Sequence, residues 1–328
     1  MKDRELHVDI TEWPFKTPFR IAGKTWETLP IVNILIKQHD ISGRGEAVGV
    51  TYLGETPAGI VKQIAAVACE VKSGLTRNEL QYLLPAGGAR NALDCALWDL
   101  EAKLSGQSVW HLTGLKSQNI TTVMTIGIDD TPEAMAVKAI KAKTFPILKI
   151  KLDHELVVER IKAIRLVRPD ARLCIDANQS WDLDLLKYAA PKLAELGVEM
   201  IEQPLPRNQD AVLQTYSSPL PLCADESCQH IEELPEALSM YDMINIKLDK
   251  TGGLTHALEM AKVVRNAGKR LMVGSMAGTS LGMAPAFMIG TLCDLVDIDG
   301  PLLLSQDHPN GLLFNGANVS PFSPALWG

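Results

Sequence analysis

From about residue 121 onward the chain repeats one pattern: a short apolar, β-branched run, then an amphipathic stretch. The runs are VMTIGI, ILKIK, RLCIDA, VEMIEQ, LPLCADE, MINIK, RLMVG and LVDID, and adjacent runs lie roughly 22 to 27 residues apart, the length one β/α unit needs. Eight such runs suit a closed parallel barrel of the TIM type, with reactive groups at the C-terminal strand ends. The expected fold class is α/β, a modified (β/α)7β barrel over residues 116–300.

Residues 1–115 read differently. ELHVDITEWPF, PIVNILIKQ and GRGEAVGV have the character of antiparallel strands, and helical stretches follow around residues 57–73 and 89–105. Leu93, Leu97, Leu100 and Leu104 recur at helical spacing, and Gly106 ends the pattern. These residues are expected to form an α+β capping domain over the barrel mouth, completed by the Pro- and Gly-rich tail, 301–328, folding back onto it. A 328-residue chain that is 46% hydrophobic has the means for one large or two unequal domains and a sizeable core. Its net charge of −7 offers no basic surface for nucleic acid or anionic lipid. MKDRELHVDI is too polar for the apolar region of a signal peptide, and no apolar run approaches a membrane span. The six cysteines, scattered and without a CxxC pair, read as buried free thiols in a reducing cytoplasm. A cytoplasmic protein with a small-molecule partner is expected, and a homo-oligomer is left open.

Five successive runs end in one chemical theme. Lys149 and Lys151 lie in LKIKLD, Asp176 in CIDANQS, Glu202 in MIEQPLP, Asp225 in LCADES and Lys247 in MINIKLDK. Residues two apart in a strand share a face, about 7 Å from each other, so Lys149 and Lys151 project together into the barrel mouth. Crowded beside a cation, they lower each other's pKa toward the range of a working base. Alone, LKIKLD reads as a solvated strand end. The next three runs argue otherwise, because each delivers a carboxylate from within apolar residues, an unfavourable place for an unneutralised charge. Singly each acid is a helix cap or a salt-bridge partner; together they form an oxygen-only ligand set, which suits Mg²⁺ better than Zn²⁺. Cys223 and Cys228 flank Asp225 out of alternation with it, and no histidine is spaced to join them. Lys247 falls nearly opposite the strand of Lys151 in an eight-stranded ring. One base on each face is what stereoinversion by proton removal and redelivery needs, although Asp249 and Lys250 offer Lys247 a structural ion-pair network instead. Gly252 and Gly253 let the loop after Lys247 approach a ligand closely.

Together KxK, DAN, EQP, ADES and NIKLDKTGG resemble the motifs of the enolase superfamily, muconate-lactonizing subgroup, and the resemblance covers nearly the whole chain. It implies that Asp176, Glu202 and Asp225 bind Mg²⁺, that Lys151 and Lys247 are the two bases, and that Lys149 supports the carboxylate–metal arrangement. Asp297 and Asp299 in VDIDGP resemble the DxD pair with which dipeptide epimerases bind a substrate's free α-ammonium; their structural alternative is a turn after the last strand. LPAGGARNALDCALWDL is similar to the L-Ala-D/L-Glu epimerase group. The implied activity inverts the α-carbon of a dipeptide's C-terminal residue by 1,1-proton transfer through a Mg-stabilised enolate, in the setting of cell-wall peptide metabolism. Sister reactions of the subgroup, N-acylamino acid racemisation, o-succinylbenzoate synthesis and muconate cycloisomerisation, act on substrates without a free α-ammonium.

One departure stands out. Ala-Glu epimerases carry an arginine in the loop after the first strand that helps read the substrate's side-chain carboxylate; in FRIAGKTWE, Gly23 stands there instead. Lys24 or Arg20 is the substitute, and Trp26 favours a more apolar side chain. A rival of another class is a serine hydrolase built on GTSLG, with Ser280, Asp297 and His308 in the appropriate chain order. It explains neither the lysines nor the three acids.

Overall fold

The structure, a computed structural model, describes residues 4–21 and 24–328. Three antiparallel strands open the chain: β1 (Arg4–Ile21), β2 (Lys24–Gln38) and β3 (Ile41–Ala47). β1 and β2 form a hairpin longer than the expected strands. Its register breaks between Pro14 and Phe19, a stretch bracketed by two prolines that have no N–H to give the ladder. Freed from that ladder, Pro14 O accepts Ser305 N at 2.8 Å and Phe15 bridges to Leu304.

The expected 57–73 helix is divided into α1 (Pro57–Ala66) and α2 (Ala68–Lys72), because Val67 at φ −112° leaves the helical range. A further short helix, α3 (Arg77–Leu83), begins at a reciprocal Thr76–Glu79 cap that the hydrophobic pattern does not reveal. Helix α4 (Gly88–Ser105) ends at Gly106 in the left-handed conformation. Leu93, Leu97 and Leu100 are buried as their spacing implies, while Leu104, in the last turn, is 36% exposed. α4 lies directly on β3: a Cβ at Gly43 would stand 2.2 Å from Ala96 O, and one at Gly45 2.1 Å from Ala92 O. GRG thus marks backbone-to-backbone packing.

After α5 (Val109–Thr113) and the short β4 (Ile120–Thr121), the β/α alternation begins. It runs β5 (Met124–Ile126), α6 (Pro132–Lys141), β6 (Ile147–Lys151), α7 (Val157–Val167), β7 (Arg172–Asp176), α8 (Leu183–Glu195) and β8 (Val198–Glu202). β9 (Leu222–Ala224) follows a crossover whose only helical piece is a 3₁₀ turn, Ala211–Gln214. Then come α9 (Leu234–Met240), β10 (Met243–Ile246), α10 (Leu248–Thr251), α11 (Leu254–Asn266), β11 (Arg270–Val273), α12 (Ser280–Gly290), β12 (Leu295–Val296) and α13 (Gly300–Leu303). Neighbours from β5 to β12 pair in parallel in sequence order. The seam between first and last strands is joined by Val123 N to Val296 O at 2.9 Å and by Ile298 N to Thr122 Oγ1 at 3.1 Å. The architecture is the expected α/β barrel with its cap.

Period two arranges the barrel interior in tiers. The floor is an apolar ring with one residue from each strand run: Val123, Ile147, Cys174, Met200, Cys223, Met243, Met272 and Leu295. Two residues further along those runs stand Thr125, Lys149, Asp176, Glu202, Asp225, Asn245, Gly274 and Asp297. Two further again are Lys151, Lys247 and Asp299 at the mouth. Cys223 therefore shares the inward face of Asp225, contrary to the alternation expected of it, but it lies one tier below in the apolar floor, where burial drives its thiol pKa up. The cysteines are all free; Cys69 is exposed and Cys293 partly so, and the other four are buried. Among the described residues, no helix is long and apolar enough to cross a membrane.

Candidate active site

The middle tier carries the charge. Asp176, Glu202 and Asp225 are fully buried and each offers an oxygen within 4.8 Å of the others'. Parallel pairing sets Asp176 level with Lys151 on β6 and with Glu202 on β8. The second match depends on a register shift after Leu173, where β8 spends an extra residue beside Glu199. Without that bulge Asp176 would face Ile201, and Glu202 would point out of the barrel.

Four lysines neutralise the acids. Lys149 Nζ lies 3.0 Å from Asp176, 2.8 Å from Glu202 and 2.8 Å from Asp297. Lys151 Nζ is 2.6 Å from Asp176 Oδ2 and 3.1 Å from Asn178 Oδ1. Lys247 Nζ donates to Asp225 Oδ2 at 2.6 Å, and Lys250 Nζ to Asp225 Oδ1 at 2.8 Å. Asn245 Nδ2 donates to the remaining oxygen of Glu202 at 2.7 Å.

The electrostatics follow from these distances. Burial alone would raise Asp176, but Lys151 and Lys149 outweigh it and hold the carboxyl at about 2; Asp225, opposed by burial in the same way, is held low by Lys247 and Lys250. Glu202 is pushed up to about 7 by burial and by the charge of Asp176. For Lys149 and Lys247, burial works against the charge, yet the carboxylates win and both pKa values rise. For Lys149 the direction is opposite to the depression expected of the Lys149–Lys151 pair, because three carboxylates lie within 3.0 Å of its ammonium. Glu202 remains short of positive charge. An all-oxygen, buried, three-carboxylate cluster with that deficit fits a small hard divalent cation.

Lys151 ends β6 and Lys247 directly follows β10, strands four places apart in the eight-stranded ring. Both line one cavity of about 400 Å³. Its opposite wall comes from the cap: Phe15, Phe19, Trp26, Leu29, Val48 and Tyr52. Asp297 of the middle tier and Asp299 at the mouth also line the cavity. Asp299 Oδ2 accepts Thr125 N at 2.6 Å, and burial together with the neighbouring Asp297 pushes Asp299 up to about 7.

Other expectations resolve differently. Arg20 is turned to Asp130 at 2.7 Å and is not part of the cavity wall. Gly23 and the side chain of Lys24 lie outside the described residues. Gly252 and Gly253 make room for the cap helix, not for a ligand: a Cβ at Gly252 would lie 2.2 Å from Arg90 Nε, and one at Gly253 2.5 Å from Asp94 Cβ. Asp249 does not pair with Lys247 and instead accepts Gly49 N at 2.8 Å. Ser280 is the fully buried first residue of α12 and gives its N–H and hydroxyl to Asp307 at 2.8 and 2.5 Å. Asp297 is engaged with Lys149, so the hydrolase constellation does not assemble.

Sequence reading missed the residues that hold the acids in place. Gln203, in the left-handed region at φ 36°, accepts the N–H groups of Asp225 and Ser227 at 3.0 Å each and ties the end of β8 to that of β9. Asn178, also left-handed, gives Nδ2 to Glu226 Oε1 at 3.3 Å. Glu226 is raised to about 8 by burial and by the charges of Asp225 and Asp176. Their signal was present only as polar residues one or two places after each acid.

Residues 4–114 match the family model described as mandelate racemase / muconate lactonizing enzyme, N-terminal domain, and residues 133–303 match the enolase C-terminal domain-like model. The chain is 43% identical to the L-Ala-D/L-Glu epimerase of Escherichia coli K12, over 95% of this chain and 98% of that protein. It is 38% identical to an N-acetyl-D-glutamate racemase of a Pseudoalteromonas species, over 91% and 95%. Among solved structures it is similar to an Agrobacterium tumefaciens enolase family member with bound sodium and L-Ala-L-Glu, at TM-score 0.97 and 42% identity, covering 99% of this chain and 100% of that one. A dipeptide epimerase of Enterococcus faecalis, complexed with Mg and L-Leu-L-Tyr, superimposes at TM-score 0.92 and 28% identity, covering 100% and 99%. With both of its halves matched in this way, the chain belongs to the mandelate racemase / muconate lactonizing family of the enolase superfamily.

Proposed function

We propose that the protein is a dipeptide epimerase that inverts the α-carbon of the C-terminal residue by two-base proton transfer, with L-Ala-D/L-Glu as the leading substrate. The observation that carries this reading is the placing of Lys151 and Lys247 on opposite walls of one cavity with three carboxylates between them. In this reading Asp176, Glu202 and Asp225 hold Mg²⁺, which supplies a localised positive charge against the second negative charge that develops on the substrate's carboxylate. Lys151 and Lys247 each address one face of the α-carbon, one taking the proton and the other returning one. Lys149 keeps Asp176, Glu202 and Asp297 in register. Asp297 and Asp299, in the cavity wall with Thr125, receive the α-ammonium.

The relatives support this reading, since several are epimerases acting on dipeptides. One is an N-acetyl-D-glutamate racemase, which keeps N-acylamino acid racemisation as a second reading. The acid pair favours the dipeptide, because an N-acyl substrate brings no ammonium to two buried carboxylates. The test is α-proton exchange in D₂O followed by NMR across Ala-Glu, Ala-Leu, Ala-Phe and N-acetyl-glutamate. Exchange confined to the N-acetyl substrate would overturn the dipeptide reading, and full exchange after exhaustive chelation would overturn the cation.

Lys24 is proposed to read an acidic second residue, in place of the arginine absent at Gly23. The described wall around that region is largely aromatic, so a single charge-assisted hydrogen bond, worth roughly 1.5 to 3 kcal/mol, would dominate the preference. Lys24→Ala is expected to lower kcat/KM for Ala-Glu about tenfold or more and to leave Ala-Leu nearly unchanged. Equal losses on both substrates would remove Lys24 from the site.

A further inference from the structure

Lys250 has no part in the proton transfer, yet at 1% exposure it is among the most buried charges in the protein. It rises from α10 and does not line the cavity. Its Nζ meets three acceptors: Asp225 Oδ1 at 2.8 Å, Asp225 O at 2.6 Å and Asn245 O at 2.9 Å. An ammonium has three protons, so its capacity is filled. Two of the acceptors belong to Asp225, whose N–H is already fixed by Gln203 Oε1 at 3.0 Å. The third belongs to Asn245, whose side chain holds Glu202 at 2.7 Å.

We propose that Lys250 is a positioning residue of the cation site: by fixing one oxygen and the main chain of Asp225, it leaves Oδ2 as the oxygen that carboxylate presents to Lys247 and to a divalent cation. This inference rests on the reading of Asp176, Glu202 and Asp225 as cation ligands. A fully buried ammonium is an expensive way to join two strand ends, and an apolar side chain of similar volume often serves the fold as well or better. What the apolar residue cannot do is orient a carboxylate. Groups that hydrogen-bond a metal ligand from behind set its geometry, and losing one typically costs about 10- to 100-fold in metal affinity.

A purely electrostatic role for Lys250 predicts the opposite sign. Removing a positive charge 2.8 Å from a ligand oxygen would tighten cation binding, whereas releasing the carboxylate from its fixed orientation weakens it. Mn²⁺ binding, followed by the loss of the free-ion EPR signal, separates these in the full chain. Wild type, Asp225→Asn, Lys250→Met and Lys250→Arg are compared, with circular dichroism and melting as controls for the fold. The expected result is Mn²⁺ binding by wild type, loss in Asp225→Asn, and at least about tenfold weaker binding in folded Lys250→Met. Binding in Lys250→Met that equals or exceeds wild type overturns the positioning role while leaving the ligand reading intact. Failure of wild type to bind Mn²⁺ overturns the ligand reading, and the role of Lys250 with it. If Lys250→Met does not fold, Lys250→Arg carries the test, because a planar guanidinium keeps the charge but cannot bring one nitrogen to three converging acceptors. Weaker binding by that variant supports the proposal, and wild-type binding overturns it.

Discussion

Asp225 accepts an ammonium on each of its oxygens, Lys247 on one and Lys250 on the other, and that asymmetry shows how similar side chains take different work. Lys247 lines the cavity and Lys250 does not. Lys151 and Lys149 both line the cavity and differ in another way: Lys151 is 8% exposed, whereas Lys149, at 1%, is shared among three acids. The proposal that Lys151 and Lys247 are the two bases gives a stereochemical prediction. Lys247→Ala is expected to exchange the α-proton of one dipeptide epimer in D₂O and not the other, and Lys151→Ala to show the reverse choice. NMR of each pure epimer checks it; exchange of both epimers by either variant would mean that the lysines do not divide the faces. The inward placing of Lys149, Asp176 and Asp225 was readable in the sequence because ILKIK, CIDANQS and LCADES put a charge two residues beyond an apolar one, and two residues is the period of a strand. Lys250 and Gln203 were not readable as site residues. Their partners lie 25 and 22 residues away along the chain, and only the folded ring brings those strand ends together.

At the level of elements, the capping domain supplies a barrel helix with its N-terminal acceptor. α11 begins at Gly253 with no side-chain cap of its own, and its exposed amides are met instead from the cap helix α4. Asp94 accepts Thr255 N at 3.0 Å and the Thr255 hydroxyl at 2.6 Å, with Gln81 Nε2 at 3.0 Å. Burial outweighs these bonds and pushes Asp94 up to about 6 from an ordinary 3.8. A raised acid costs stability once it must ionise. Below pH 3.8 both folded and unfolded chains hold the proton; as pH rises toward 6 the unfolded chain releases it first, and above 6 the full cost, on the order of 3 kcal/mol, is present. Asp94→Asn retains an acceptor and removes the ionisation. Its stability relative to the native protein is therefore expected to improve between pH 4 and pH 7, as measured by urea unfolding at several pH values. A difference that stays constant over that range would show that Asp94 does not titrate there. TGG in NIKLDKTGG reads in sequence as a ligand-approach loop, whereas in the fold it lies against a helix. A glycine's close neighbour is not encoded beside it, and here that neighbour is α4, more than 150 residues earlier in the chain.

Across the whole molecule, the last residues join the two parts. Trp327 is fully buried and donates Nε1 to Cys95 O at 3.0 Å, Gly328 N donates to Asp99 Oδ1 at 2.6 Å, and Arg44 reaches Ala325 O at 2.8 Å. Phe322 stacks on Trp110 and meets Trp327 edge-on, and Phe287 of α12 meets both Phe322 and Trp110 edge-on. One apolar cluster thus runs from Cys95 and Trp98 of α4, through Trp327, into the barrel's helical layer. The tail's return was expected from its lack of periodicity, but its role as a wedge in a shared core was not, because a single tryptophan carries no pattern. A core common to both parts has a thermodynamic consequence: neither part exposes its share of that surface without the other, so unfolding is expected to be one cooperative transition. Trp327→Ala tests this most directly. It removes the largest side chain of the wedge, leaves a cavity between α4 and the barrel, and deletes the indole bond to Cys95 O. The expected cost is about 3 to 5 kcal/mol, from the range for a buried Trp→Ala change, measured by urea unfolding with fluorescence and far-UV circular dichroism as separate probes. Coincident transitions shifted by that amount support the shared core. Two separated transitions in the native protein, or a loss below about 1 kcal/mol, where surface substitutions fall, would mean that cap and barrel are stabilised independently and that the tail merely covers their junction.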